Sequence, residues 1–182
     1  SVIFILLYLF CWEGRIRTFL EEADQLFLLQ KRAHVIALKK STRNLYVTGY
    51  SLGIIILYVL MAPFLFNHYH LSLSEVLVLA FYFISLKALI LGCKQYLDDI
   101  GSIWKKSFYT FLLFATFGAF SFILVKWALN VSILILFVFS LFHCGFFWLN
   151  SSKRINRLTT FSNDVVIEKQ LKLKYVKSIF LF

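Results

Sequence analysis

A chain of 182 residues that is 60% hydrophobic and 19% aromatic, with 22 Phe and one Pro, is too apolar to fold as a soluble domain. A formal charge of +10 would suit a nucleic-acid binder in a soluble protein, but here nearly all the Lys and Arg sit in connections or at the ends of apolar runs. The charge therefore reads as topological, and nucleic acid is excluded as a partner. The expected fold class is all-α, a polytopic integral membrane helical bundle with an amphipathic cytoplasmic helix, and residues 1–182 read as a single transmembrane domain.

The chain opens in an apolar run, Val2–Trp12, of eleven residues. At about 1.5 Å per residue it falls short of a hydrocarbon layer about 30 Å thick. It reads as part of a truncated membrane helix, and residues 175–182 as the start of another, so the chain reads as a fragment. Between residues 13 and 44 lies a cytoplasmic amphipathic segment. Ile16, Phe19, Leu20, Ala23 and Phe27 recur at three- and four-residue steps, which places them on one helix face. Glu21, Glu22 and Asp24 precede Lys31 and Arg32, the order that a helix dipole favours. The run from Leu26 to Leu29 widens the apolar face beyond one stripe. That surface suits either the headgroup region of a bilayer or a protein partner.

Four longer apolar runs follow, at residues 45–66, 75–93, 107–125 and 128–149, each able to cross a membrane once as a helix. A basic cytoplasmic segment, 150–174, comes after them, with Ile155, Leu158, Phe161 and Val165 spaced as a second interfacial face. The connections sort by charge. Seven basic residues lie between Trp12 and Leu45, three between Cys93 and Ser107, and seven beyond Leu149. The connection at 67–74 has none and the turn expected near Trp127 has only Lys126. Basic connections stay in the cytoplasm, so all three basic ones are placed there.

Within the spans, Gly49 with Gly53, and Ala115 with Gly118 and Ala119, form small-residue steps that favour close helix packing, within the chain or in a homo- or hetero-oligomer. Lys87 is the one charge well inside a run and the candidate for an intramembrane polar contact. It stands six residues, some 9 Å, from the cytoplasmic end at Cys93, and the expectation is that it snorkels to the headgroups. No catalytic, cofactor or metal residues are assigned. His68, His70 and Glu75 share a polar turn without a third strong ligand fixed by spacing, and His143 with Cys144 lacks an orienting acid. Asp98 and Asp99 read as a solvated turn. Cys11, Cys93 and Cys144 fall at cytoplasmic ends, where reduced thiols are expected.

The string FLEEADQLFLL, Phe19 to Leu29, resembles a motif of the EcsB-type ABC transporter permeases, in which an acidic, Ala-Asp, hydrophobic segment follows a membrane helix. The resemblance implies the membrane-spanning permease subunit of an ABC transporter that exports its cargo from a bacterial cytoplasmic membrane. ATP hydrolysis would fall to a separate cytoplasmic ATPase subunit, docked on Phe19, Glu22, Asp24, Leu26, Phe27 and Leu29. No phosphate-cradling Gly-rich loop is present, which agrees with that division of labour. A secondary transporter, or another polytopic membrane protein without catalytic activity, is the alternative. It would normally carry intramembrane charges or interrupted helices in matching halves, and only Lys87 qualifies.

Overall fold

The computed structural model describes residues 2–16, 32–100 and 102–155, together with 165, 166, 169 and 173. The docking residues Phe19, Glu22, Asp24, Leu26, Phe27 and Leu29 lie outside the described residues. The described elements are helices in the order α1 (Val2–Trp12), α2 (Arg32–Tyr69), α3 (Leu73–Leu97), α4 (Ile103–Val131) and α5 (Leu134–Ile155). Four of them, α2 to α5, are long and apolar enough to cross a membrane by length and composition. The expected all-α class is found.

Helix ends differ from the hydrophobic boundaries for identifiable reasons. α2 begins at Arg32 and continues without a break into the first long apolar run, so residues 32–44 are not a separate element. Between Arg32 and Gly49 there is neither Pro nor Gly to stop a helix. α3 starts with a reciprocal cap. The Ser72 backbone N–H donates to the Glu75 carboxylate at 2.7 Å, and the Glu75 N–H donates to the Ser72 hydroxyl at 3.4 Å. The turn expected near Trp127 is absent; α4 runs through Lys126 and Trp127 to Val131, and Ser132, in extended conformation, makes the break. One Lys did not end the helix there, whereas the Ser at 132 combined with backbone geometry does.

The chain divides into two compact units. One comprises residues 1–15 and 47–149. Its core runs through Leu7, Tyr8, Cys11, Ile54, Tyr58, Leu79, Tyr82, Phe83, Leu86, Ile90, Leu124 and Leu136. α3 is the central helix, with 67% of its apolar window buried against 17% for α4, and α1 packs against both. The outward face of α4 carries Ile103, Trp104, Phe108 and Phe111, all more than 60% exposed, a surface suited to lipid. The small-residue steps serve side chains more than backbones. A Cβ at Gly49 would meet nothing within 4 Å, Gly53 faces the Phe10 ring, and Gly118 leaves room for Tyr8, whose hydroxyl donates to the Phe114 carbonyl at 2.5 Å.

The second unit comprises residues 16–46 and 150–182. Among its described residues Val35 is fully buried, and Lys39, Thr42, Arg43, Ser151 and Arg154 are buried polar groups. The Arg43 guanidinium donates to the Ser151 hydroxyl at 3.4 Å and to the Asn44 side-chain oxygen at 3.0 Å. Burial of so many polar side chains is tolerable only when they are hydrogen-bonded, and Arg43 shows how that is met.

Candidate functional site

The polar centre of the first unit forms where α1 ends. The last four carbonyls of an α-helix have no partner within it, and they carry the negative end of the helix dipole. Two carbonyls of the last turn of α1 and two of the residues just past it meet two lysines from α3. The Lys87 ammonium donates to the carbonyls of Phe10, at 2.7 Å, and Glu13, at 3.0 Å. It also lies 4.6 Å from the Phe10 ring centre and 4.4 Å from that of Tyr50. Seven residues on, two turns along the same helix face, the Lys94 ammonium donates to the carbonyls of Trp12 and Gly14. Gly14 has φ +87°, and a Cβ there would run into the Tyr50 ring, so both conformation and space call for glycine.

Lys87 is 2% exposed, and its charge is held by backbone carbonyls at the end of α1; the expected snorkelling to headgroups is not what the side chain does. The physical reason is local supply. Carbonyls at the end of a helix have lone pairs to spare, and two of them satisfy an ammonium without desolvating a carboxylate as well. The sequence pattern hides this, because the acceptors are backbone atoms.

Asp98 extends the cluster. It was expected in a solvated turn, yet its side chain is only 10% exposed and binds two cations. Arg15, just past α1, lies 3.5 Å from its carboxylate, and Lys106, in the first turns of α4, lies 2.6 Å from the same oxygen. Arg15, Lys94 and Lys106 stand out in the sequence only as basic residues of the connections. The signal available was the spacing 87, 94, 98, which puts two cations and an anion on one face of α3. Together these contacts fasten the point where the chain leaves α1 to the connection between α3 and α4.

A second feature lies among α3, α4 and α5. A cavity of about 300 Å³ is walled by Leu86, Leu89, Phe117, Phe120, Phe139 and Phe142, with Cys93, Ser121 and His143 also lining it. Its chemistry favours apolar groups. The Tyr82 hydroxyl donates to Ser121 at 3.0 Å beside it. His143 is buried, and its Nδ1 finds no hydrogen-bond partner among the described residues. In the outer turn Glu75 caps α3 and His68 stacks on Phe64 at 4.8 Å, so the three residues weighed for a metal are not brought together; no group of three metal ligands occurs among the described residues.

Comparison with known families decides the affiliation. The family described as Bacterial ABC transporter protein EcsB matches residues 1–182, the whole chain. The chain belongs to the EcsB family. No curated protein and no solved structure matches it. With four helices able to span a bilayer, this EcsB family member is a multi-pass membrane component of an ABC transporter. The clasp of Lys87, Lys94 and Asp98 is thus a structural feature of an EcsB chain at the root of the segment that resembles the permease motif.

Proposed function

We propose that this chain is the permease subunit of an ABC exporter in the bacterial cytoplasmic membrane, driven by a separate cytoplasmic ATPase subunit that docks on residues 19–29. The observation that carries this reading is the EcsB family match across the whole chain, which includes the Phe19 to Leu29 string. The fastened exit from α1 supports it. A docking segment can pass force to membrane helices only if its root does not swivel, and Arg15, four residues before Phe19, is tied to Asp98.

In such a docking surface Leu26 and Phe27 are the anchors by size, each contributing roughly 1.5 to 3 kcal/mol when buried, while Glu22 and Asp24 steer the approach. Leu26→Ser combined with Phe27→Ser should release the ATPase subunit from detergent-solubilised complexes while membrane levels of the permease stay unchanged. Undiminished copurification of the ATPase with the double variant would refute the docking assignment.

A further inference from the structure

Beside the clasp lies an open cleft of about 470 Å³ between the end of α1 and the start of α4, lined by Trp12, Arg15, Lys106, Thr110, Phe111 and Phe114 with Ile103 and Ser107. We propose that this cleft is a binding site for one anionic phospholipid of the leaflet adjoining the basic connections, its phosphate on Arg15 and Lys106 and its glycerol and upper acyl chain on the aromatic floor.

The argument is one of charge, depth and surface. Both charged residues in the lining are cations, and because both lie on one Asp98 oxygen, at 3.5 and 2.6 Å, their nitrogens stand within about 6 Å of each other. A phosphodiester can touch two such groups at once, in charge-assisted bonds stronger than neutral ones. An Arg carries five N–H donors and a Lys three, more than one shared Asp98 oxygen can take up, so both cations keep donors to offer an anion from outside. Both cations remain reachable, with side chains 44% and 29% exposed. Ser107 and Thr110 add hydroxyls. The Thr110 proton goes to the Lys106 carbonyl at 2.7 Å, which leaves its oxygen free to accept from a headgroup hydroxyl.

Below the cations the lining turns aromatic. Trp12 and Phe114 meet edge to face at 5.2 Å, and Phe111 is 70% exposed on the outward side of α4, continuous with Phe108 and Ile103. The site thus passes from cations to rings over about two helical turns, the same order in which a phospholipid passes from phosphate to chain. The basic residues at 94, 105 and 106 assign this end of the bundle to the cytoplasmic face, and the inference rests on that orientation and not on the ATPase. A soluble anion would use the cations but not the rings; a protein segment would use the rings without needing an anionic lipid.

The test uses the purified chain in nanodiscs and native mass spectrometry after detergent exchange. With equimolar phosphatidylglycerol and phosphatidylcholine, the wild type should keep one phosphatidylglycerol at least about tenfold in excess over phosphatidylcholine, and Arg15→Gln with Lys106→Gln should bring that ratio near one. Lys105→Gln, an exposed cation outside the cleft, should keep the wild-type ratio. Thr110→Trp fills the cleft and leaves both cations in place. It should lose the lipid too, which keeps the test valid if the double variant does not fold. Retention of inorganic phosphate in place of lipid, equal retention of the two lipids by the wild type, or full phosphatidylglycerol retention by Thr110→Trp would each overturn the proposal.

Discussion

Lys87→Met isolates the clasp, because Met keeps most of the stem volume and removes only the ammonium. Two charge-assisted hydrogen bonds are lost, at 2.7 and 3.0 Å, each worth roughly 1.5 to 3 kcal/mol, and the Phe10 and Glu13 carbonyls are left with one partner fewer. Two cation–π contacts go with them, at about 0.5 to 1 kcal/mol apiece. Against this, a 2% exposed cation no longer has to be desolvated, which offsets a large part of the total. A net loss of about 2 to 4 kcal/mol in holding α1 against α3 remains. Cys11 reports it. It is 1% exposed, and its thiol reaches the Phe83 carbonyl at 3.5 Å, so it reacts only when α1 opens. With Cys93→Ser and Cys144→Ser as background, the labelling rate of Cys11 follows the open population, and a loss of that size raises it roughly 30- to 1000-fold. Lys105→Met, at an exposed position, should leave the rate unchanged. A Lys87→Met variant that labels like the parent would show that the ammonium contributes nothing to the helix contact.

Three further outcomes are expected. Asp98→Asn removes both ion pairs and should lower stability by about 1 to 2 kcal/mol, since these pairs are better shielded than surface ones, and thermal unfolding in detergent should show the difference shrinking in high salt. Ser72→Ala breaks the reciprocal cap and should cost about 1 kcal/mol, read as faster amide exchange confined to the first turn of α3; unchanged exchange would remove the cap from the account. A Cys at Asn67 should be modified by an impermeant reagent added outside intact cells while Cys at Lys105 or Lys153 is spared, and the reverse pattern would overturn the orientation taken from the basic connections.

That the chain holds four long apolar helices was legible because predominantly apolar runs of nineteen or more residues admit few other structures. Their ends were not, because hydropathy marks where the bilayer stops and a helix stops only where backbone bonding is interrupted. α2 passes Arg43 and Lys39 back to Arg32, and α4 passes Lys126 to Val131. The class of the polar centre was half visible. Lys87 stood out as a charge at depth, but its partners are carbonyls of an element 74 and 77 residues away, and no side-chain pattern encodes those. Asp98 was misjudged for a related reason. Its polarity suits a solvated turn, and only the tertiary arrangement brings Arg15 and Lys106 to it.

The clasp also answers how the end of α1 is held against its neighbours. Apolar side chains gain little by leaving lipid for another helix, so contacts such as Leu7 against the core do not by themselves fix α1. Polar bonds do. Tyr8 donates to Phe114, Cys11 to Phe83, and Lys87 and Lys94 donate to the end of α1. Three elements are tied by bonds that lipid cannot replace, since a bilayer core offers no hydrogen-bonding groups. Backbone carbonyls as partners have a further consequence. Carboxylates opposite Lys87 and Lys94 would add buried charges with their own desolvation penalties, whereas the end of α1 supplies negative potential already in place. The arrangement then depends on where α1 stops. A continued helix would redirect the backbone carbonyls beyond Trp12 along the helix axis and away from the two lysines. The left-handed backbone at Gly14, φ +87°, packed where the Tyr50 ring leaves no room for a Cβ, turns the chain out of the helix just where the carbonyls of Phe10, Trp12, Glu13 and Gly14 face the two lysines.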